Sequence, residues 1–134
     1  MLDSLQTSRL LHNMKNPLLD SEGLPDFSAI RAEHVQPAIE RIIEENRATV
    51  RELLAQPRPF TWQNLVEPLE AIEDRLSRAW SPVSHLSSVA NTPELRAAYN
   101  ACLPLLSDYS SELGQNRELF EAYAEVRRNA EREG

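Results

Sequence analysis

The chain has 134 residues, about the length of one domain, and its 41% apolar and 26% charged residues are typical of a globular protein. Its 21 acidic residues outnumber its 14 basic ones and give a net charge of -7, which disfavours binding to nucleic acids and to anionic membrane surfaces. Its start has no secretory signal pattern and no apolar run could span a bilayer, so we expect a cytoplasmic protein.

The first 27 residues contain Pro17, Gly23 and Pro25 and have no sustained helical period, which predicts an extended lead-in over residues 1–27. Within it, residues 1–13 are expected to form a mobile leader. Residues 28–134 are expected to form the folded domain. Four apolar residues are expected to hold the lead-in against the body of the protein: Leu18, Leu19, Leu24 and Phe27.

A first helix is predicted over residues 34–55, where apolar residues recur at intervals of three and four. Pro37 is placed in the first turn, where its missing N–H costs little, and Pro57 and Pro59 close the segment. Only Asn46 interrupts the apolar stripe. The stripe consists of Val35, Ala38, Ile39, Ile42, Ile43, Val50, Leu53 and Leu54.

A long second helix is predicted to begin after Thr61, whose hydroxyl can accept hydrogen bonds from the free backbone N–H groups of the first turn. Pro68 and Pro82 fall inside it. Because an internal proline removes one backbone hydrogen bond and crowds the preceding turn, we expect kinks, or two helices in line.

A third helix is predicted to begin with Thr92 as its cap and Pro93 in its first turn. Pro104 is expected to disturb its middle. Gly114 offers a left-handed residue that would end this helix.

A fourth helix is predicted from about Arg117, with an apolar face turned inward and a charged end over residues 127–133. No segment alternates with a period of two between turn residues. The sequence therefore predicts an all-α fold of about four amphipathic helices in an antiparallel array, with proline kinks and an extended lead-in. The inward face of the fourth helix is assigned to Leu119, Phe120, Tyr123 and Val126.

A helical zinc peptidase site requires two histidines one turn apart with a glutamate after the first. The histidines here are His12, His34 and His85, and none is followed by glutamate. The three could converge in space, but we favour structural roles, with His34 at a helix entry and His85 packing against a nearby helix. The sequence predicts no catalytic, metal-binding or cofactor-binding residue in this chain.

Cys102 has the spacing of a core position, where a thiol behaves as a small apolar side chain with a raised pKa, and this is favoured over a nucleophile. The serines around His85 lack the G-x-S-x-G pattern of hydrolases. Trp62 and Trp80 are interpreted as packing anchors of the core.

Three acidic residues of the second helix are spaced to meet two arginines on the same helix. The sequence favours a solvated, salt-bridged face over a pair of catalytic carboxylates, because acid–base catalysis would require a pocket that the pattern does not indicate. The residues are Glu70, Glu73 and Asp74, with Arg75 and Arg78.

Several strings of this sequence are found in one peptidase family. They include Asn16-Pro-Leu-Leu19, Glu33-His-Val-Gln-Pro-Ala38 and, most specifically, Trp80-Ser-Pro-Val-Ser-His-Leu86. On these strings the chain resembles the N-terminal segment of the oligopeptidase A group in the thimet oligopeptidase family of zinc metallopeptidases. The likeness begins near Met14 and extends to about Tyr123, and it reaches only about the first fifth of such an enzyme.

The resemblance implies that the full-length enzyme is a cytoplasmic zinc peptidase that hydrolyses short peptides, including cleaved signal peptides, in a channel between two largely helical halves. It implies that the N-terminal helices form part of the channel wall and that the zinc ligands lie farther along. The implied cofactor is zinc in the full-length family and none in this chain. The implied partners are the remainder of the same polypeptide, with its catalytic domain, and oligopeptide substrates.

The leading hypothesis is an N-terminal fragment of such an enzyme, without the catalytic domain and inactive alone. A second hypothesis is an autonomous helical protein-interaction module without enzymatic activity. In either case, helices that evolved to pack on a larger body should expose an apolar patch. A stand-alone hydrolase with an unrecognised site is the least favoured hypothesis.

Overall fold

Four α-helices and one π-helical turn form the part of the chain that the computed structural model describes, residues 16–19, 30–90 and 92–133. The helices are α1 (Ala32–Ala55), α2 (Glu67–Val89), α3 (Pro93–Gln115) and α4 (Arg117–Glu133), and the π-helical turn is Trp62–Val66. These ranges contain no strand. The predicted all-α class is therefore confirmed. The proposed leader, Leu24 and Phe27 lie outside the described residues.

The lead-in contacts the body of the protein through a turn at residues 16–19. Asn16 is buried and donates from Nδ2 to the carbonyl of His34 at 3.0 Å, while its Oδ1 accepts from the N–H of Leu18 at 3.1 Å. Leu18 is buried in the main core and Leu19 packs against it. The expected contact of these two leucines with the body is confirmed.

α1 begins at Ala32, two residues earlier than the apolar stripe predicted. His34 stabilises this start, because its Nδ1 accepts from the N–H of Arg31 at 3.0 Å, which confirms its role at the helix entry. Pro37 lies inside the helix, beyond the first turn. The earlier start explains the difference, since a helix beginning at Ala32 carries Pro37 into its second turn.

The π-helical turn resolves the conflict that Pro68 creates near the start of the second helix. Thr61 caps this turn as predicted, its Oγ1 accepting from the N–H of Asn64 at 3.1 Å. Pro68 has no N–H to bond to the carbonyl of Asn64, four residues earlier. Gln56 donates to that carbonyl from Nε2 at 2.8 Å instead. The widened turn thus places Pro68 at the beginning of α2, where proline is tolerated.

α1, α2 and α3 pack around the main core. On α2 and α3, Glu73 lies beside Tyr109 and Trp80 lies beside Tyr99, so the two helices run antiparallel. Each fully buried aliphatic side chain contributes about 1.5–3 kcal/mol. The buried members of this core are Leu18, Val35, Ala38, Ile39, Ile42, Ile43, Leu76, Ala79, Val83, Leu95, Cys102 and Tyr109.

A second, smaller core joins the end of α1 to the π-helical turn and α4. Phe60, only 2% exposed, is one of its buried members. The other buried members are Val50, Leu65, Val66, Leu69, Leu119, Ala122 and Val126.

Asn116 separates α3 from α4, which corrects the sequence prediction for the end of α3. The helix continues through Gly114 to Gln115, and Gly114 does not adopt a left-handed conformation. The Oδ1 of Asn116 accepts from the N–H of Leu119 at 3.1 Å, so Asn116 also caps the start of α4. Thr92 caps α3 as predicted, accepting from the N–H of Leu95 at 3.1 Å.

Polar contacts connect the three helices of the main core. Asn46, 1% exposed, donates to the carbonyl of Ile72 on α2 at 3.4 Å, which explains the break in the apolar stripe. Tyr109 donates to Glu73 at 3.2 Å. Burial raises the pKa of Tyr109 to about 12, and the nearby charge of Glu73 adds to this effect. The phenol therefore stays neutral and remains a donor.

Glu45 joins α1 to α2 because it pairs with Arg75 as well as with Arg41, whose Nε lies 2.9 Å from its Oε1. Partial burial acts to raise the pKa of Glu45, but the hydrogen bonds from Arg41 and Arg75 outweigh it and hold the pKa below 4.5. A carboxylate with a lowered folded-state pKa stabilises the fold above its unfolded pKa, and this contribution is lost as the pH falls through the folded-state value.

Replacing Glu45 by glutamine should therefore lower the melting temperature at pH 7, and the difference from the unsubstituted chain should shrink below about pH 4. Thermal unfolding followed by circular dichroism across this pH range measures the effect. Glu52→Gln, at an exposed position of the same helix, is the matched control. A difference for Glu45→Gln that does not change with pH would contradict the role of the two arginines.

Candidate interaction surface

The histidines of the described residues do not form a zinc site. The Nδ1 of His34 already accepts from the N–H of Arg31, the residue before α1, and His85 lies at an exposed position of α2. Within residues 16–19, 30–90 and 92–133, no group of three or more histidine, cysteine, aspartate or glutamate residues could hold a metal ion. This part of the chain does not fit the zinc that the resemblance implies for the full-length family. His12 lies outside it.

Cys102 occupies the core position that its spacing predicts. It is 0% exposed, and burial, with a smaller contribution from the charge of Glu40, raises the pKa of its thiol to about 11. A nucleophile or metal ligand requires the thiolate, which is scarce at that pKa. Cys102 is therefore a packing residue.

The acidic residues of α2 form the solvated face that the sequence predicts, but two residues of the pattern bond to other helices. Arg78 pairs with Asp74 at 3.0 Å on the surface of the helix. Arg75 instead extends to Glu45 on α1, and Glu73 accepts the Tyr109 hydroxyl from α3. Two residues assigned to a surface pattern thus connect helices. The spacing along α2 could not reveal this, because both partners lie on other helices.

Only one of the two tryptophans is a core anchor. Trp80 packs against the main core and stacks on Tyr99, with ring centroids 5.0 Å apart and an interplanar angle of 17°. Trp62 is 51% exposed, so its assignment to the core was wrong. It lies instead at the edge of an open groove.

The groove lies between the π-helical turn and α4 and has a volume of about 500 Å³. Exposed rings dominate it: Phe120 is 74% exposed and Tyr123 is 41% exposed. Both were expected to face inward, and only Leu119 and Val126 of the predicted face are buried. We call this feature the aromatic groove. It is lined by Trp62, Val66, Phe120, Tyr123, Ala124, Val126, Arg127, Arg128 and Ala130.

The position of Trp62 is fixed by the loop that precedes it. Glu125 on α4 accepts from the N–H of Phe60 at 2.7 Å and lies 3.4 Å from Nη1 of Arg58. Asn129, one turn farther along α4, donates to the carbonyl of Phe60 at 3.3 Å. Both polar backbone groups of the buried Phe60 are therefore satisfied by α4. Trp62, two residues later, is held beside that helix.

The face of α4 that borders the groove follows from helical spacing. Phe120, Tyr123 and Arg127 lie at i, i+3 and i+7, on one side of the helix. The neighbouring side, with Leu119, Ala122 and Val126, is the one buried in the smaller core. The apolar surface of α4 is thus wider than the contact it makes. Periodicity identified this surface as apolar but could not tell how much of it other helices cover.

The groove is apolar, with a basic rim at Arg127 and Arg128 and the charges of Glu70 and Glu73 near Tyr123. Arg127 and Arg128 are exposed and form no ion pair within the described residues. Partial burial, together with the charges of Glu73 and Glu70, raises the pKa of Tyr123, so its hydroxyl stays neutral at physiological pH. Such a surface suits an apolar partner that carries negative charge at one side.

No helix in the described ranges is long and apolar enough to cross a membrane.

Comparison with known proteins gives one consistent result. The model of the N-terminal domain of neurolysin/thimet oligopeptidase matches residues 32–133. Oligopeptidase A of Haemophilus influenzae is 53% identical over 119 residues, which are 89% of this chain and 17% of that protein. Oligopeptidase A of Escherichia coli is 50% identical over 114 residues, covering 85% of this chain and 17% of the relative.

A plant relative, the probable cytosolic oligopeptidase A of Arabidopsis thaliana, is 38% identical over 112 residues, covering 84% of this chain and 16% of the relative. The matches therefore cover most of this chain in every case. The chain spans about a sixth of the length of these curated relatives.

Alkylation of Cys102 tests its assignment to the core. At pH 8, a thiol with a pKa of about 11 has roughly 100-fold less thiolate than one at its usual 9.0, so iodoacetamide should react far more slowly with the folded chain than with the chain unfolded in urea. Mass spectrometry of timed samples measures both rates. Similar rates in the two states would contradict the buried position.

Proposed function

The chain belongs to the neurolysin/thimet oligopeptidase family as its N-terminal domain, and from this membership we propose that it serves as the helical N-terminal part of an oligopeptidase A-like zinc peptidase. The observation that carries the proposal is the match of residues 32–133 to that domain. The share of the relatives that the chain spans, about a sixth, agrees with a part of a longer enzyme.

The proposed role of this part is to shape and restrict a channel, and not to perform chemistry. Its helices form a section of the channel wall and limit access to unfolded, short peptides. Two features of the structure support this proposed role in the channel wall. The helices are fixed to one another by polar contacts such as Asn46 with the Ile72 carbonyl and Tyr109 with Glu73. One face of α4 offers apolar surface for further packing.

The chemistry is assigned to the remainder of the enzyme. When bound there, zinc would activate water and polarise the peptide carbonyl. The described residues of this chain fit no such centre, and we infer that the chain has no peptidase activity by itself. The full-length enzyme is proposed to be cytoplasmic and to hydrolyse short peptides, including cleaved signal peptides.

A second candidate function is an autonomous helical interaction module. The aromatic groove favours it, because an exposed apolar surface with a basic rim can bind a partner without any catalytic centre. The two functions differ in what they require. A module binds its partner as the isolated chain, whereas a part of a peptidase acquires its function only together with the rest of the enzyme.

The isolated 134-residue chain, incubated with zinc and an unstructured peptide, should release no product above a protein-free blank. Chromatography coupled to mass spectrometry detects the products. Intact oligopeptidase A of Escherichia coli is the positive control.

A fusion that joins this chain to the rest of the Haemophilus influenzae relative, in place of that enzyme's own matched segment, should cleave the same peptide. Zinc-dependent turnover by the isolated chain would refute the proposed division of labour. An inactive fusion that is nevertheless folded would favour the module.

A further inference from the structure

We propose that the aromatic groove is the docking site for a helix from the remainder of the same peptidase, one that carries carboxylates beside its apolar face. This inference rests on the proposed function and names the partner that completes it. Three observations support it: the shape of the groove, the rim arginines that pair with no described residue, and the share of the relatives that lies outside this chain.

The groove has the dimensions of a helix-packing surface. Along α4 it extends from Phe120 to Ala130, roughly 15 Å at the rise of an α-helix, which accommodates about three turns of a partner helix. Its walls are two helical elements, the π-helical turn and α4, whose side chains form ridges with a space between them. It presents no strand edge that an extended peptide could join, because the described residues contain no strand.

The charges of the groove select the kind of helix. Arg127 and Arg128 form no ion pair with any described residue. The exposed Arg51, outside the groove, has none among these residues either, so the position of the two arginines beside the apolar surface is what selects the partner. An incoming helix with aspartate or glutamate next to its apolar face would pair with both rim arginines. Although the net charge of the chain is -7, the edge of the aromatic groove is basic at Arg127 and Arg128.

The same charges disfavour a second copy of this chain as the occupant. A two-fold contact would bring the identical surface of each copy together. Arg127 and Arg128 would then meet a lining that contains two arginines and no carboxylate, so neither would gain an ion-pair partner. The remainder of the peptidase is the favoured occupant, because about five-sixths of the length of the relatives lies outside the match.

The test introduces a thiol into the groove by Phe120→Cys. In the isolated chain, where Phe120 is 74% exposed and Cys102 is 0% exposed, iodoacetamide should modify the new thiol rapidly and Cys102 slowly. In the fusion with the rest of the Haemophilus influenzae enzyme, modification at position 120 should be slowed roughly tenfold or more, because a covered thiol reacts only when the contact opens. Mass spectrometry resolves the modified positions.

Two controls separate a specific contact from general inaccessibility. Val89→Cys, at a position 65% exposed and outside the groove, should react at similar rates in the isolated chain and in the fusion. Adding Arg127→Glu to Phe120→Cys should restore much of the reactivity in the fusion. Arg51→Glu, an exposed arginine outside the groove, should not.

Every other outcome contradicts the proposal that the groove is a docking site. Equal modification at position 120 in the isolated chain and the fusion, or equal slowing at positions 89 and 120, refutes it. Protection in the isolated chain that rises with protein concentration identifies a second copy as the occupant. If the fusion is insoluble, the two parts are co-expressed as separate chains, and failure to recover a soluble complex also refutes the proposal.

Peptidase activity, measured on the same fusion, keeps the two proposals distinguishable. Activity without protection at position 120 refutes the docking site and leaves the proposed function standing. Protection without activity refutes the proposed function and leaves the docking site standing.

Discussion

The attachment of the loop at Phe60 to α4 is the contact on which the smaller core and the groove both depend. A buried backbone N–H and carbonyl each require a partner, and leaving one unsatisfied costs about 1–3 kcal/mol. Glu125 and Asn129 supply both partners from one side of α4. This pairing brings α4 beside the π-helical turn and leaves Trp62 and Phe120 exposed on either side of the same groove.

The sequence predicted the features that depend on neighbours along the chain. Thr61 and Thr92 cap the helices they were expected to cap, because a hydroxyl can reach the first free N–H groups within three residues. The inward face of α1 was also predicted, since Ile39, Ile42 and Ile43 repeat at helical spacing. The end of α3 was not predicted: Gly114 suggested a left-handed stop, but Asn116 both ends α3 and caps α4.

Features that depend on distant residues could not be predicted from spacing. Trp62, Phe120 and Tyr123 are apolar and periodic, yet periodicity does not tell whether a neighbouring element covers them. Arg75 was assigned to the surface of its own helix, although its partner Glu45 is 30 residues away in the sequence. Of the candidate site, the sequence predicted only that some apolar patch would be exposed. The groove itself could not be predicted, because it is formed by the packing of α4 beside the π-helical turn.

The single-residue joint at Asn116 restricts how this domain can vary. In the loop of residues 56–61, Gln56, Phe60 and Thr61 are held by hydrogen bonds. The exposed stretch at residues 57–58 lies between them and could absorb an insertion. At Asn116 a deletion would join two helices into one continuous rod, and an insertion would separate the residue that ends α3 from the residue that caps α4. Insertions in this family should therefore accumulate at residues 57–58, while the spacing between α3 and α4 stays constant.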